Sequence, residues 1–212
     1  KVFILNTPSN PTGMVYTRTE LEALGQVIEE SGILVISDEI YEKLIYNGEH
    51  VSIATLSDKL KEQTILINGV SKAYSMTGWR IGYTAASKEI VGAMSRIQSH
   101  STSNPAQASQ WASIEALSGS QEPVETMRTA FSERRQYMIE RLNAIEGITC
   151  VEPDGAFYAF PNISATFGKS SESGKITNAV EFCQNLLQEQ LVACVPGSGF
   201  GAEGYVRLSY AT

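Results

Sequence analysis

Six polar residues stand in, or at the ends of, apolar runs along the 212-residue chain. Asn10 follows "VFILN" within "TPSNPTG", Asp38 and Tyr41 close "ILVISDEIY", and Ser71 and Lys72 close "TILINGVSK". Arg80 lies in "GWRIGY". A lysine amine can condense with a carbonyl, and an aspartate can hold a positive charge on a ring nitrogen. A tyrosine and an asparagine can hydrogen-bond a phenolate oxygen, and a serine with an arginine suits a phosphate. Each residue also has a plainer reading. Asn10-Pro11 makes a turn, Asp38 a helix cap, Tyr41 core, Arg80 half of any ion pair and Lys72 a solvated ammonium. Their shared position at strand ends favours one site, because ligands of open α/β sheets gather at the carboxyl ends of strands.

The elements that must carry them are readable from hydrophobic period. Val2–Asn6, Ile33–Tyr41, Thr64–Lys72 and Trp79–Ala86 read as strands, and the third closes on the lysine. Between the first two, "TRTELEALGQVIEESG" has helical spacing (Leu21, Leu24, Val27, Ile28), with Thr19 and Glu22 as a capping box and Gly32 as its end. "SKEIVGAMSRIQSH" and "NPAQASQWASIEALSG" read as helices, and Glu122–Gly147 as one long amphipathic helix. Beyond it come short strands at "ITCVEP" and "AFYAFP", a polar loop at Phe167–Lys175, a helix near Thr177–Glu189, and strands at "LVACVP" and "YVRLSY". The pattern predicts an α/β sheet over residues 1–133 and a smaller α+β domain over residues 134–212, bridged by the long helix.

Composition narrows the function class. The chain is 42% hydrophobic and 18% charged, with net charge −7 and pI near 5.0, and no basic block recommends a nucleic-acid partner. No apolar run reaches the roughly 20 residues of a membrane span, so a soluble, cytoplasmic protein is expected. Three cysteines without CxxC spacing, and only His50 and His100, argue against a zinc site and for no metal. The chain starts inside a strand-like run without an initiator Met and stops at "SYAT", which reads as a segment of a longer protein.

Pyridoxal 5'-phosphate needs a lysine amine for its aldehyde, an acid for its ring nitrogen and a cation with fixed donors for its phosphate. "SNPTG", "SDEIY", "SKAYSMTGWRIGY" and "VRLSY" together resemble the class I aminotransferases, the aspartate aminotransferase-like group of fold-type I pyridoxal-phosphate enzymes. The lysine–arginine element is the most specific of these, and the resemblance covers essentially the whole chain. It implies part of a large α/β/α domain plus a smaller α+β domain, and a homodimer. It further implies that Lys72 binds the cofactor covalently and moves a proton at the substrate Cα, and that Asp38 holds the ring nitrogen. Tyr41 and Asn10 would bond the phenolate oxygen, Ser71 and Arg80 the phosphate, and Arg207 the substrate α-carboxylate, with Asn10 beside it.

The activity so implied is amino transfer from an L-amino acid, aspartate-like or aromatic, to a 2-oxo acid. "SHSTSNPAQASQWASIEAL" resembles the bacterial aspartate/prephenate-type branch, with Ser99 where classical aspartate enzymes carry an arginine; the nearest arginine is Arg96. Two alternatives share the residues: a pyridoxal-dependent lyase or cyclopropane-carboxylate synthase, and a truncated module inactive by itself. "GSGFGA" satisfies a loose dinucleotide fingerprint, but a strand follows where that motif requires a helix.

Overall fold

The computed structural model describes residues 1–211 and divides into two compact units. The first comprises Lys1–Pro8 and Val15–Arg128; the second comprises Ser9–Met14 and the chain from Thr129 onward. A six-residue loop, Ser9–Met14, thus packs with residues far along the chain rather than with its neighbours.

The first unit is built on a four-stranded sheet. Strands β1 (Val2–Asn6), β2 (Leu34–Asp38), β3 (Thr64–Gly69) and β4 (Gly82–Ala85) lie in that spatial order. The first three are parallel, with Ile4 opposite Ile36 and Ile36 opposite Ile65, and β4 runs antiparallel to β3. Helix α1 (Arg18–Ser31) connects β1 to β2, and the short α2 (Asp58–Gln63) precedes β3. The core of this unit is Leu5, Leu21, Ile28, Val35, Val51, Ile53 and Leu60, each at most 5% exposed. Burying one such side chain stabilises by roughly 1.5–3 kcal/mol. The alternate residues of β1, Val2 and Ile4, are 55% and 69% exposed. Helices α3 (Lys88–Ser101), α4 (Gln107–Ser118) and α5 (Glu122–Asn143) follow.

The second unit takes up the carboxyl part of α5 and a three-stranded sheet. Strand β5 (Tyr158–Ala159) comes first, then the hairpin β6 (Ser170–Ser171) and β7 (Gly174–Lys175). Helix α6 (Ala179–Gln190), β8 (Val195–Pro196) and β9 (Val206–Ser209) complete it, with sheet order β5-β9-β8. Ile163, Ala179, Cys183 and Val206 form one of its apolar clusters.

Several expectations need correction. The capping box of α1 is Thr17 with Glu20, not Thr19 with Glu22: Thr17 Oγ1 accepts from Glu20 N at 3.3 Å, and Thr17 N donates to Glu20 Oε2 at 2.8 Å. The threonine spacing repeats, and the one whose backbone is extended becomes the cap. Helix α5 ends at Asn143 rather than Gly147, where the Asn143 side chain bonds both Cys150 N and Cys150 O. "ITCVEP" forms only the isolated bridge Thr149–Asn162, and the polar loop contains the β6–β7 hairpin. Helix α2 escaped the periodicity because it spans six residues, less than two turns; it is fixed by Ser57, whose Oγ accepts from Leu60 N at 3.0 Å.

Candidate active site

In the first unit, the ends of two adjacent parallel strands carry the acid and the amine. Asp38 is the last residue of β2, and its register partners are Asn6 on β1 and Ile67 on β3. Its Oδ1 accepts from Ile40 N at 3.2 Å, and Glu39 N donates to Ile67 O at 2.9 Å, so the chain is fixed on both sides of the carboxylate. The turn that follows buries Tyr41 to 3% exposure. Lys72 Nζ stands 5.9 Å from the centre of the Tyr41 ring. Lys72 itself lies in a turn closed by Ser75 N donating to Lys72 O at 3.3 Å.

The Ser71–Arg80 stretch is the connection between β3 and antiparallel β4. Gly69 faces Gly82, and Val70 N bonds Ile81 O at 3.4 Å, so the pairing closes the connection between Val70 and Ile81. Ser71 and Arg80 are the first and last residues of the stretch "SKAYSMTGWR" inside that closure. Arg80 has left-handed backbone, φ 55°, and its Nη1 donates to Thr77 O at 2.8 Å across its own loop.

The second unit assembles a different group around a guanidinium. Arg207 on β9 donates from Nη1 to Asn10 Oδ1 at 2.7 Å. Its guanidinium carbon lies 4.6 Å from the Tyr158 ring centre and 5.1 Å from that of Phe200. Arginine can only donate, so the amide of Asn10 must present its oxygen to Arg207 and keep its nitrogen as a donor elsewhere. Two aromatic faces hold the planar cation by cation–π attraction. Sequence reasoning missed Tyr158 and Phe200. Their only signal was an aromatic in "AFYAFP" and one in the glycine-rich "GSGFGA".

Two glycines make that arrangement possible. Gly13 has φ +70°, and a Cβ there would stand 2.4 Å from Pro153 Cβ and 2.7 Å from Gly155 O. The Asn10 loop is pinned at that point by Gly155 N donating to Gly13 O at 2.8 Å. The 152–155 segment is in turn held by buried Arg135, which donates to Pro153 O at 2.6 Å and pairs with Glu152 at 3.2 Å. At Gly197 a Cβ would meet Ala202 O at 2.2 Å and Tyr205 O at 2.4 Å, so only glycine permits the turn that carries Phe200.

Sequence reasoning also passed over Glu39. It is 1% exposed and accepts from Ser37 Oγ (2.9 Å) and Ser52 Oγ (2.7 Å) on Oε1, while His50 Nε2 meets Oε2 at 2.7 Å. Burial pushes the Glu39 carboxyl up, but the His50 and Ser52 hydrogen bonds, the His50 charge and Ser37 together outweigh it and leave the carboxyl below its ordinary value. Ligand-capable atoms of Glu39, Glu42 and His50 lie within 4.8 Å of one another, a grouping that the Glu39–His50 bond itself explains. A cavity of about 910 Å³ adjoins this cluster, lined also by Arg18, Asp58 and Ser87, and its lining includes none of the seven residues singled out above. Ser99 is exposed on α3 and donates to Arg96 O at 2.9 Å. Among the described residues, no helix is long and apolar enough to cross a membrane.

The sequence family of aminotransferases of class I and II matches residues 1–212. Aspartate aminotransferase of Geobacillus stearothermophilus is 56% identical over 213 residues, covering 100% of this chain and 53% of the relative. Aspartate/prephenate aminotransferase of Cereibacter sphaeroides is 48% identical, with 100% and 54% covered. The crystal structure of the aspartate aminotransferase from Rhizobium meliloti superposes with TM-score 0.94 at 42% identity, covering 100% of this chain and 54% of that one. The chain thus spans about half the length of these relatives. A match along every residue, together with a neighbour of the same fold, leaves one conclusion: the chain belongs to the class I and II aminotransferases, with the fold-type I architecture of that family.

Proposed function

We propose that this chain supplies the lysine-bearing and carboxylate-binding parts of a pyridoxal-phosphate-dependent aminotransferase. The reaction would move an amino group from an L-amino acid, aspartate-like or aromatic, to a 2-oxo acid. The observation that carries the reading is Asp38 and Ser71–Lys72 at the ends of adjacent strands β2 and β3, with the Lys72 amine over the Tyr41 ring. Family membership supports the cofactor, since aminotransferases of this class depend on pyridoxal phosphate.

The donor set fits that cofactor. Asp38 supplies a fixed carboxylate for a ring nitrogen, Tyr41 a phenol, Lys72 an amine, and Ser71 with Arg80 a hydroxyl and a guanidinium for a phosphate. When bound, pyridoxal phosphate supplies the electron sink that acidifies a substrate C–H bond. The protein's part is to hold and to move protons. Asp38 would hold a positive charge on the ring nitrogen. Lys72 would be the base that takes the proton from the substrate Cα and holds it on its amine. Arg207 holds the substrate α-carboxylate through its planar fork, turned and steadied by Asn10, Tyr158 and Phe200. Asn10 Nδ2 is a donor of the kind that a phenolate oxygen requires.

We propose the same homodimer that the family resemblance implies. The test of function is transfer activity of the full-length protein with aspartate and with phenylalanine as donors and a 2-oxo acid as acceptor. Lys72→Ala should abolish transfer by either donor with the circular dichroism spectrum unchanged. Transfer close to wild type in that variant overturns the reading, and release of ammonia in place of amino transfer favours a lyase.

A further inference from the structure

Cys183 and Cys194 have no part in the proposed reaction, yet their sulfurs lie 3.3 Å apart. Cys183 sits on α6 at 8% exposure. Cys194 is half-buried, beyond the end of α6 and immediately before β8. Both pack into the cluster of Ile163, Ala179 and Val206. The third thiol, Cys150, belongs to a separate cluster with Ile139 and Ala159, and all three are free. Two cysteines filling a core as small apolar residues is the plainer reading. Three observations favour chemistry instead: the sulfurs are in contact, one of the two reaches solvent, and the link from α6 to Cys194 lies outside regular structure. That link leaves α6 through Leu191, which has left-handed backbone (φ 57°) and is 86% exposed, and it has no regular structure before Val195.

We propose that Cys183 and Cys194 form a reversible dithiol–disulfide site, oxidised by low-molecular-weight disulfides. A disulfide bond of ~2.05 Å requires the sulfurs to approach by only ~1.3 Å, within reach of a rotation at Cβ and a small shift of the link. The Cys194 thiolate attacks one sulfur of the oxidant RSSR, forming the mixed disulfide Cys194–S–S–R and releasing RS⁻. The Cys183 thiolate then attacks the Cys194 sulfur, breaking the mixed disulfide and releasing the second RS⁻. Both protein thiol protons end on the two RSH molecules, and the two electrons lost by the cysteines reduce RSSR. The order follows from access and charge. Cys183 is the less accessible thiol, and burial and then the adjacent Cys194 sulfur push it up to about 12. Once Cys194 is capped its charge is gone, and the resolving attack no longer opposes it.

The site adjoins the strand pair that carries Arg207. Cys194 adjoins Val195, whose register partner on β9 is Arg207. Closing the disulfide draws residue 194 toward α6 and disturbs that register pair. The consequence for substrate binding rests on the function proposed for Arg207; the thiol chemistry does not.

The test incubates the native chain with oxidised glutathione, alkylates the remaining thiols and cleaves after glutamate. Cleavage at Glu181, Glu189 and Glu203 puts Cys183 in residues 182–189 and Cys194 in residues 190–203. The free-thiol count should fall from three to one, with those two peptides joined until dithiothreitol separates them. Cys183→Ser, checked for fold by circular dichroism, should retain one glutathione on Cys194, and Cys194→Ser should leave Cys183 unmodified. Three thiols remaining, glutathione persisting on Cys194 of the unaltered chain, or Cys150 reacting as fast as the pair overturns the site. The amide resonances of Val195 and Arg207 should shift on oxidation. A joined peptide pair with both resonances unmoved overturns the link to Arg207 alone.

Discussion

Arg207 shows how a surface-seeking cation becomes a receptor. Asn10 fixes one edge of the guanidinium and two rings fix its plane, so the remaining donors are oriented before a carboxylate arrives. Arg207→Lys should therefore raise KM for the amino acid by about 10- to 100-fold, the loss of a charge-assisted bond of roughly 1.5–3 kcal/mol, while cofactor affinity stays within a factor of about two. Equal losses of both would take away its proposed role. Asn10→Asp separates the two ends of that side chain: the oxygen that accepts from Arg207 survives and the Nδ2 donor does not. The new carboxylate also pairs with Arg207 and opposes an incoming α-carboxylate, so the amino-acid KM should rise, and the visible absorbance of bound cofactor should move as the Nδ2 donor is lost. At this scale the sequence was informative wherever a residue type is chemically unusual for its setting. Lys72 and Arg80 at the margins of a core strand stood out. Tyr158 and Phe200 did not, because an aromatic residue beside a strand is ordinary core, and only the fold reveals which cation it faces.

Elements turn these residues into fixed directions. Asp38 and Glu39 are neighbours in sequence at the end of β2, but alternation sends them to opposite sides, and Glu39 goes into the core to meet Ser37, His50 and Ser52. Glu39→Ala should destabilise the protein by about 3–5 kcal/mol, because three polar groups lose their acceptor. The acid limb follows the sign of its shift. The folded carboxyl is lowered, so its stabilisation is present above the unfolded value of about 4.3 and is lost as pH falls through the folded value. Urea midpoints measured from pH 7 to pH 3 should drop over that window in the wild type, and the drop should be shallower in Glu39→Gln. The Asn10 loop gives a second test. Gly13→Ala forces a Cβ into Pro153 at a left-handed φ and should cost about 2 kcal/mol or more. Strands and long helices were legible because their period is written in many residues. The capping threonine of α1 and the six-residue α2 were not, since each is decided by one local hydrogen bond.

For the whole molecule, the apolar surface is the unusual feature. Ile97 on α3 is 71% exposed, Trp111 on α4 is 65%, and Val2 and Ile4 on β1 are 55% and 69%. Isolated exposed apolar residues need no explanation, but so many large ones on one unit favour association. Sedimentation velocity should show this chain as a dimer or larger species at micromolar concentration, and Ile97→Lys should shift it toward monomer; a monomer at every concentration would contradict the proposed homodimer. The family was legible from four short motifs, because their chemistry demands those residues in that order. The assignment of Ser9–Met14 to the second unit was not, since nothing local in "SNPTGM" names its distant partners Pro153 and Gly155. The central claim is that Lys72 carries the cofactor. Its most direct test is the visible spectrum of the protein with pyridoxal phosphate, before and after borohydride, followed by peptide mapping. The expected result is a chromophore that borohydride fixes on the peptide containing Lys72, and that Lys72→Ala lacks. A reduced adduct on any other lysine, with Lys72 unmodified, would contradict it.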